Sequence, residues 1–250
     1  MSTSPASQEA RVELAESAED IIGGFHCMVE AFGRQTGDAV WTQMNPGWDT
    51  PEGKTDGAER MVNRWRHTTR DDKGQANTLF IKVTLPDPHK EGRRVIAGMA
   101  IWEQASVVEG RGYAPSDDFG SFLDLEALYP GNEAEQRYLR QLYRSLVKRR
   151  IEVVKEKATS QQPAVFVLDV CAVDPAFQRK GLASKLVQWG LDEAKRRGGL
   201  EATTEASKMG RHVYERLGFR SQQDIEYDVD SEFSSRKRPS NVFMRTGSSQ

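Results

Sequence analysis

The residues with the clearest chemical meaning lie in one stretch, Val165 to Arg197. From Val165 to Val173 the pattern is that of an apolar strand interrupted by a single carboxylate, Asp169. Pro175 ends it, because proline has no N–H to give to a ladder. Gln178-Arg179-Lys180-Gly181-Leu182-Ala183 follows and leads into Leu182, Leu186, Val187, Leu191 and Ala194, the apolar spacing of a helix that Gly198-Gly199 closes. Strand, glycine-containing loop and helix together aim backbone N–H groups at an anion. Gly181 lets a ligand approach the backbone, and the amides of residues 179 to 184 are the orphan donors of a helix start. Arg179 and Lys180 add formal positive charge. The pattern is neither a Walker A loop nor GxGxxG, and it suits the pyrophosphate of a phosphorylated cofactor. Taken alone it reads as an ordinary strand–turn–helix junction.

Asp169 is the second feature with chemistry in it. Strict alternation puts it on one strand face with Val167, Cys171 and Val173. An unpaired carboxylate there has a raised pKa and useful base strength; paired with an arginine it is structural.

These residues need a scaffold, and the chain supplies one. It has 250 residues, 37% hydrophobic and 29% charged, a soluble globular composition with room for one large domain. A net charge of -2 gives no electrostatic case for nucleic acid or an anionic membrane. The start, MSTSPASQEAR, lacks the apolar core of a secretory leader, and no apolar run is long enough for a membrane helix, so a cytoplasmic or nucleocytoplasmic protein is expected. Cys27 and Cys171 read as reduced thiols, and two cysteines with four scattered histidines make no zinc site; no metal is expected.

Residues 1–10 read as a disordered tail and 11–246 as a single domain. A short strand at Arg11–Ala15 precedes a helix over Ser17–Arg34, and a second helix is expected over Ala58–Arg70. Segment 36–57, rich in glycine, proline and tryptophan, reads as an insert in which Trp41, Met44 and Trp48 line an acceptor pocket or simply cover the core. Asn77–Thr84 and Val95–Trp102 form a hairpin. A second insert spans 105–130 and offers Asp124 and Glu126. Asn132 caps a long helix to Ala158, whose basic residues, Arg150 among them, read as a solvated face. A strand at Leu200–Thr204, a helix over Glu205–Gly218 with Ser207 as N-cap, a strand from Phe219 and a last strand at Asn241–Arg245 complete the chain. The fold class is α/β of the α+β type: a mixed, mostly antiparallel central sheet of about six to seven strands flanked by helices.

Val173-Asp174-Pro175-Ala176-Phe177-Gln178-Arg179-Lys180-Gly181-Leu182-Ala183, followed by Val213-Tyr214-Glu215-Arg216-Leu217-Gly218-Phe219, resembles the two motifs of the GNAT superfamily of acyl-CoA-dependent N-acetyltransferases. The resemblance is specific from Val165 to Phe219. It implies acetyl-CoA as cofactor, its pantetheine arm against the backbone of Cys171, Ala172 and Val173. The pyrophosphate would lie on the loop of Gln178, Arg179, Lys180, Gly181, Leu182, Ala183 and Ser184. Ser207 stands where that family usually has an asparagine touching the cofactor, a departure that puts this contact in doubt. Tyr214 matches the general acid that protonates the leaving thiolate; the alternative is a core tyrosine.

The expected reaction is direct transfer of acetyl to a primary amine, a small molecule in preference, with Asp169, Glu205 or a water relay taking the amine proton. Trp41, Trp48 and Glu126 are the expected substrate-pocket residues. Rival readings are an acetyltransferase acting on a protein lysine or N-terminus, and a non-catalytic acyl-CoA-binding module. Either a monomer or a homodimer fits.

Overall fold

Seven strands form one sheet in the order β1-β2-β3-β4-β5-β7-β6. They are β1 (Arg11–Leu14), β2 (Thr78–Pro86), β3 (Arg94–Ala105), β4 (Val165–Val173), β5 (Glu201–Ser207), β6 (Arg220–Asp224) and β7 (Asn241–Arg245). Only β4 and β5 run parallel; every other neighbouring pair is antiparallel. The computed structural model describes residues 9–87 and 89–247, so most of the tail expected over 1–10 lies outside the described residues.

The apolar alternation of the central strands dresses both sheet faces. On one, Ala100, Trp102, Phe166, Leu168, Leu182, Leu186 and Val187 pack under helix α6 (Leu182–Arg196). On the other, Phe80, Met99, Ile101 and Ala172 pack under α1 (Ala18–Met28) and α3 (Pro51–Arg66). Val165 and Val167 continue that second face against Val153 and Val154 of α5 (Glu133–Lys157). The remaining helices are short: α2 (Ala39–Met44), α4 (Leu125–Leu128) and α7 (Arg211–Arg216). No helix among the described residues is long and apolar enough to cross a membrane.

Helix α1 starts as its sequence signals, with the Ser17 hydroxyl accepting the Asp20 N–H at 3.2 Å, and it runs on as a π-helical segment over Val29–Thr36. Helix α3 starts earlier than the expected Ala58. Pro51 fills the first helical position, where its missing N–H costs nothing, and Thr50 accepts from Gly53 N–H at 3.1 Å. The expected helix over Glu205–Gly218 is also shorter than its sequence suggests. Glu205, Ala206 and Ser207 still pair with β7, which extends β5, and the helix begins only at Arg211.

One packing contact is tight enough to test. Helix α6 crosses Trp102 at Gly190, where an added Cβ would lie 2.0 Å from the indole ring. That ring is stacked on Phe166 at 5.1 Å between centroids and is fully buried. Gly190→Ala is expected to destabilise the fold by about 1–3 kcal/mol through overpacking, measured by chemical denaturation.

Candidate active site

The site is made by a break in the ladder between β4 and β5. They pair from Val165 opposite Glu201 to Leu168 opposite Thr204, and there the pairing stops. Both strands continue, β4 along β3 to Val173 and β5 along β7 to Ser207. Among the described residues no strand fills the gap, so the facing edges of 169–173 and 205–207 carry backbone groups open to a ligand.

A β-bulge lies at the start of the gap. Leu168 opposes Trp102 and Val170 opposes Ile101, so Asp169 is an extra residue in β4. The bulge resets the alternation and corrects the expected face. Cys171 and Val173 point to the α6 side, with Tyr214. Val170 and Ala172 point to the α1/α3 side, and Asp169 is turned to arginines of α3 and α5.

Beyond β4, a short turn at Pro175–Phe177 is capped by Asp174, which accepts the Ala176 N–H at 2.8 Å. Gln178 then donates its side-chain amide to the Val173 carbonyl at 2.9 Å and exchanges hydrogen bonds with Gln35, tying the loop to β4 and α1's extension. Arg179 has φ 61°, the one non-glycine residue with positive φ among those described, and Gly181 has φ 76°. Gly181 is the N-cap of α6 and no side chain caps that end. Successive amides of Arg179 through Ser184 thus converge at a helix start with open donors. The Leu182 side chain is buried in the core, which leaves its backbone N–H as the group it offers. Glycine at the cap, uncapped amides and a parted strand pair fit a ligand that carries a pyrophosphate and an extended amide-bearing arm.

Tyr214, on α7, reaches the wall of the same gap. Its phenol is buried and hydrogen-bonded with the Cys171 thiol. Its ring packs on Phe219 at 5.8 Å, and Gly210 is close enough that a Cβ there would meet the ring at 2.6 Å. Burial first, and the Cys171 contact second, push the Tyr214 phenol well above its ordinary range, so it holds its proton. Burial likewise pushes the Cys171 thiol up to about 12 against the opposing pull of the Tyr214 hydrogen bond. A thiol held protonated is a poor acyl acceptor. Cys171→Ser is expected to keep most of the turnover in a steady-state assay, since serine preserves a partner for Tyr214.

Ser207 does not cap α7. It is the last residue of β5, its hydroxyl accepts the Gly210 N–H at 3.4 Å, and Gly210 itself is the cap residue. It remains at the mouth of the gap.

On the opposite sheet face, the carboxylates expected to act as bases are paired. Asp169 receives Arg64 Nη2 at 2.7 Å and Arg150 Nη1 at 3.3 Å. Burial alone would raise its pKa, but the Arg64 and Arg150 guanidiniums outweigh burial and hold the carboxyl below the usual range. The expectation of an unpaired, basic Asp169 is therefore corrected. Glu205 forms a two-pronged pair with Arg150, Nε to Oε1 at 3.0 Å and Nη2 to Oε2; with its side chain only 4% exposed, it too is a buried ion-pair partner. Arg64 also bonds Glu103 at 2.7 Å. Burial raises the pKa of Tyr113 and of Tyr143 beside this cluster.

The substrate-pocket expectations fare differently. Trp41 is buried in a ring cluster with Phe25, Phe32 and Trp48, and Trp48 lies on Gly33, so both cover the core. Glu126 is exposed and accepts from the Gly131 N–H and from Gln136, both at 2.7 Å; these bonds lower its pKa and shape the entry to α5.

Arg64 and Arg150 were the residues that sequence reasoning missed. The charge of Arg150 suggests a solvated face, yet it stands three residues after Val147 and four before Val154, both buried. That spacing is a helical core stripe and was the available signal. No pattern marks Arg64.

Residues 150–219 match the model of the Acetyltransferase (GNAT) family. That segment of the chain is similar to the GNAT family, and it holds the loop and the tyrosine described above. No curated protein matches the chain in sequence. Among solved structures it is similar to arylalkylamine N-acetyltransferase 2 from Aedes aegypti, at 16% identity and a TM-score of 0.57 over 94% of this chain and 97% of that one. It is also similar to the Drosophila melanogaster polyamine N-acetyltransferase that forms N-acetylagmatine, at 12% identity and TM-score 0.57, with the same coverage. A histone acetyltransferase and related acetyltransferase from Corynebacterium glutamicum is 16% identical with TM-score 0.52 over 97% of this chain and 98% of that one. Identities this low speak for the shared GNAT fold, and the acceptors named for those proteins differ.

Proposed function

We propose that this GNAT protein transfers the acetyl group of acetyl-CoA directly to the nitrogen of a primary amine, a small molecule in preference to a protein. The observation that carries the reading is the parting of β4 and β5 after Leu168 and Thr204, with the protonated phenol of Tyr214 set against its wall. When bound, acetyl-CoA supplies the thioester carbonyl that the amine attacks. The amides of Arg179 to Ser184 would hold the pyrophosphate, and the open edge of Cys171–Val173 would orient the arm and offer an N–H to the thioester oxygen, which is oxyanion-hole logic. Tyr214, which holds its proton, would supply it to the thiolate that leaves. Asp169, held as an anion by Arg64 and Arg150, is too weak a base to take the amine proton unaided, which leaves that proton to a water relay.

Preference for a small acceptor is supported by the two inserts, which touch. The Tyr129 hydroxyl donates to the Gln43 carbonyl at 2.7 Å, and Phe119 packs on Tyr143, beside the Asp169 cluster, at 4.9 Å. The likeness in fold to enzymes whose names specify arylalkylamines or a polyamine agrees with this choice. The test is release of thiol from acetyl-CoA against a panel of arylalkylamines, polyamines and lysine-bearing peptides. Turnover with peptides alone would reverse the acceptor preference; binding without turnover on any amine would make the protein a sensor.

A further inference from the structure

The apex of the gap, where the β4–β5 ladder ends, is occupied by charge. The last rung joins Leu168 to Thr204, and the next residue on each strand is a carboxylate, Asp169 on β4 and Glu205 on β5. Facing carboxylates on adjacent strands repel. A single buried guanidinium, that of Arg150 from α5, stands between them: Nη1 lies 3.3 Å from Asp169 Oδ1, Nε lies 3.0 Å from Glu205 Oε1, and Nη2 bonds Glu205 Oε2. The other Asp169 oxygen is held by Arg64 at 2.7 Å, which is anchored in turn to Glu103 of β3. A second device ends the ladder at the same level. The Thr204 hydroxyl donates to the Leu168 carbonyl at 2.9 Å, so that carbonyl already has a partner where another rung would begin.

We infer that Arg150 is a positioning residue that fixes the opening between β4 and β5 and so sets the width of the cofactor cleft. Its guanidinium ties the two strands through their side chains at a fixed separation and keeps their backbones from pairing further. The bulge leaves Asp169 on the Val167 face, the arginine side, and sends Cys171 and Val173 to the other face. A buried ion network is a poor device for stability alone, since apolar residues of the same volume serve as well or better. What it supplies is a fixed geometry between two strands. The inference rests on the proposed cleft, but the geometry can be probed without any cofactor.

The test compares the wild type with Arg150→Lys and with the triple variant Arg150→Met/Asp169→Asn/Glu205→Gln, which removes the charges together and leaves no buried ion unpaired. Hydrogen–deuterium exchange is read on the free proteins, and coenzyme A binding by calorimetry. In the triple variant, amides of 169–173 and 205–207 are expected to exchange more slowly as the strands pair further, while coenzyme A affinity falls about tenfold or more, the signature of a displaced wall. Arg150→Lys, which keeps the charge but not the fork, is expected to shift both readouts in the same directions. Unchanged or faster exchange at these amides with wild-type affinity overturns the inference, and if the triple variant fails to fold, Arg150→Lys decides by the same criterion. Failure of the wild type to bind coenzyme A would instead overturn the proposed function, while the exchange comparison still decides the role of Arg150.

Discussion

Tyr214→Phe is expected to lower kcat by roughly a hundredfold or more, the scale of a lost general acid, with coenzyme A affinity unchanged. Phenylalanine keeps the ring contact with Phe219 and the fit against Gly210, so only the hydroxyl is removed. The hydroxyl faces Cys171 at the wall of the strand gap, and it is not among the backbone amides that would hold the pyrophosphate. Loss of affinity together with rate would mean a binding role, and an unchanged kcat would remove Tyr214 from the mechanism. The pH profile carries an independent check. The working form is the protonated phenol, and burial raises its pKa well above 10. Activity that depends on Tyr214 is then fully present at neutral pH and lost only as pH rises through that elevated value. A Tyr214-dependent alkaline limb below about pH 10, the ordinary tyrosine range, contradicts the assignment.

Gly181→Val is expected to abolish measurable coenzyme A binding while leaving the fold cooperative. Gly181 has φ 76°, a conformation in which a β-branched residue is strongly disfavoured, and relief of that strain moves the amides that follow it. The valine side chain would also stand where a ligand approaches the loop backbone. Gly181→Ala, with less bulk and less strain, should retain partial affinity. Calorimetry showing wild-type affinity in Gly181→Val would remove the pyrophosphate from this loop. Neighbouring Arg179, also at positive φ, offers a milder comparison, because its side chain already tolerates the conformation.

Much of the scaffold was legible in the chain. The apolar run Val165–Val173, the glycine-containing loop and the stripe from Leu182 to Ala194 are local patterns, and they appear as β4, the helix-start loop and α6. Capping residues Ser17 and Asn132 act where their types predict. Three readings failed for identifiable reasons. Pro51 lies in a glycine- and proline-rich segment that reads as a loop, yet proline favours the first turn of a helix. Ser207 has the residue type of a cap, but strand pairing with Asn241 outweighs the local helical tendency of residues 205–210. The charge of Arg150 suggests a solvated face, while its place in a helical stripe puts it in the core.

The sequence by itself determined the strand, glycine-containing loop and helix of residues 165–197, the motif around Tyr214 that resembles GNAT proteins, and the alternation that builds the sheet. Each depends on neighbours in sequence and on spacing within a turn or a strand. Only the tertiary structure decided what Asp169 does. A bulge of one residue, visible only when β4 lies against β3, sends Cys171 to the face opposite Asp169, and two arginines, one on α3 and one on α5, meet Asp169 on the Val167 face. An isolated buried carboxylate is a base in waiting; the same carboxylate between two guanidiniums stays charged and becomes part of the framework.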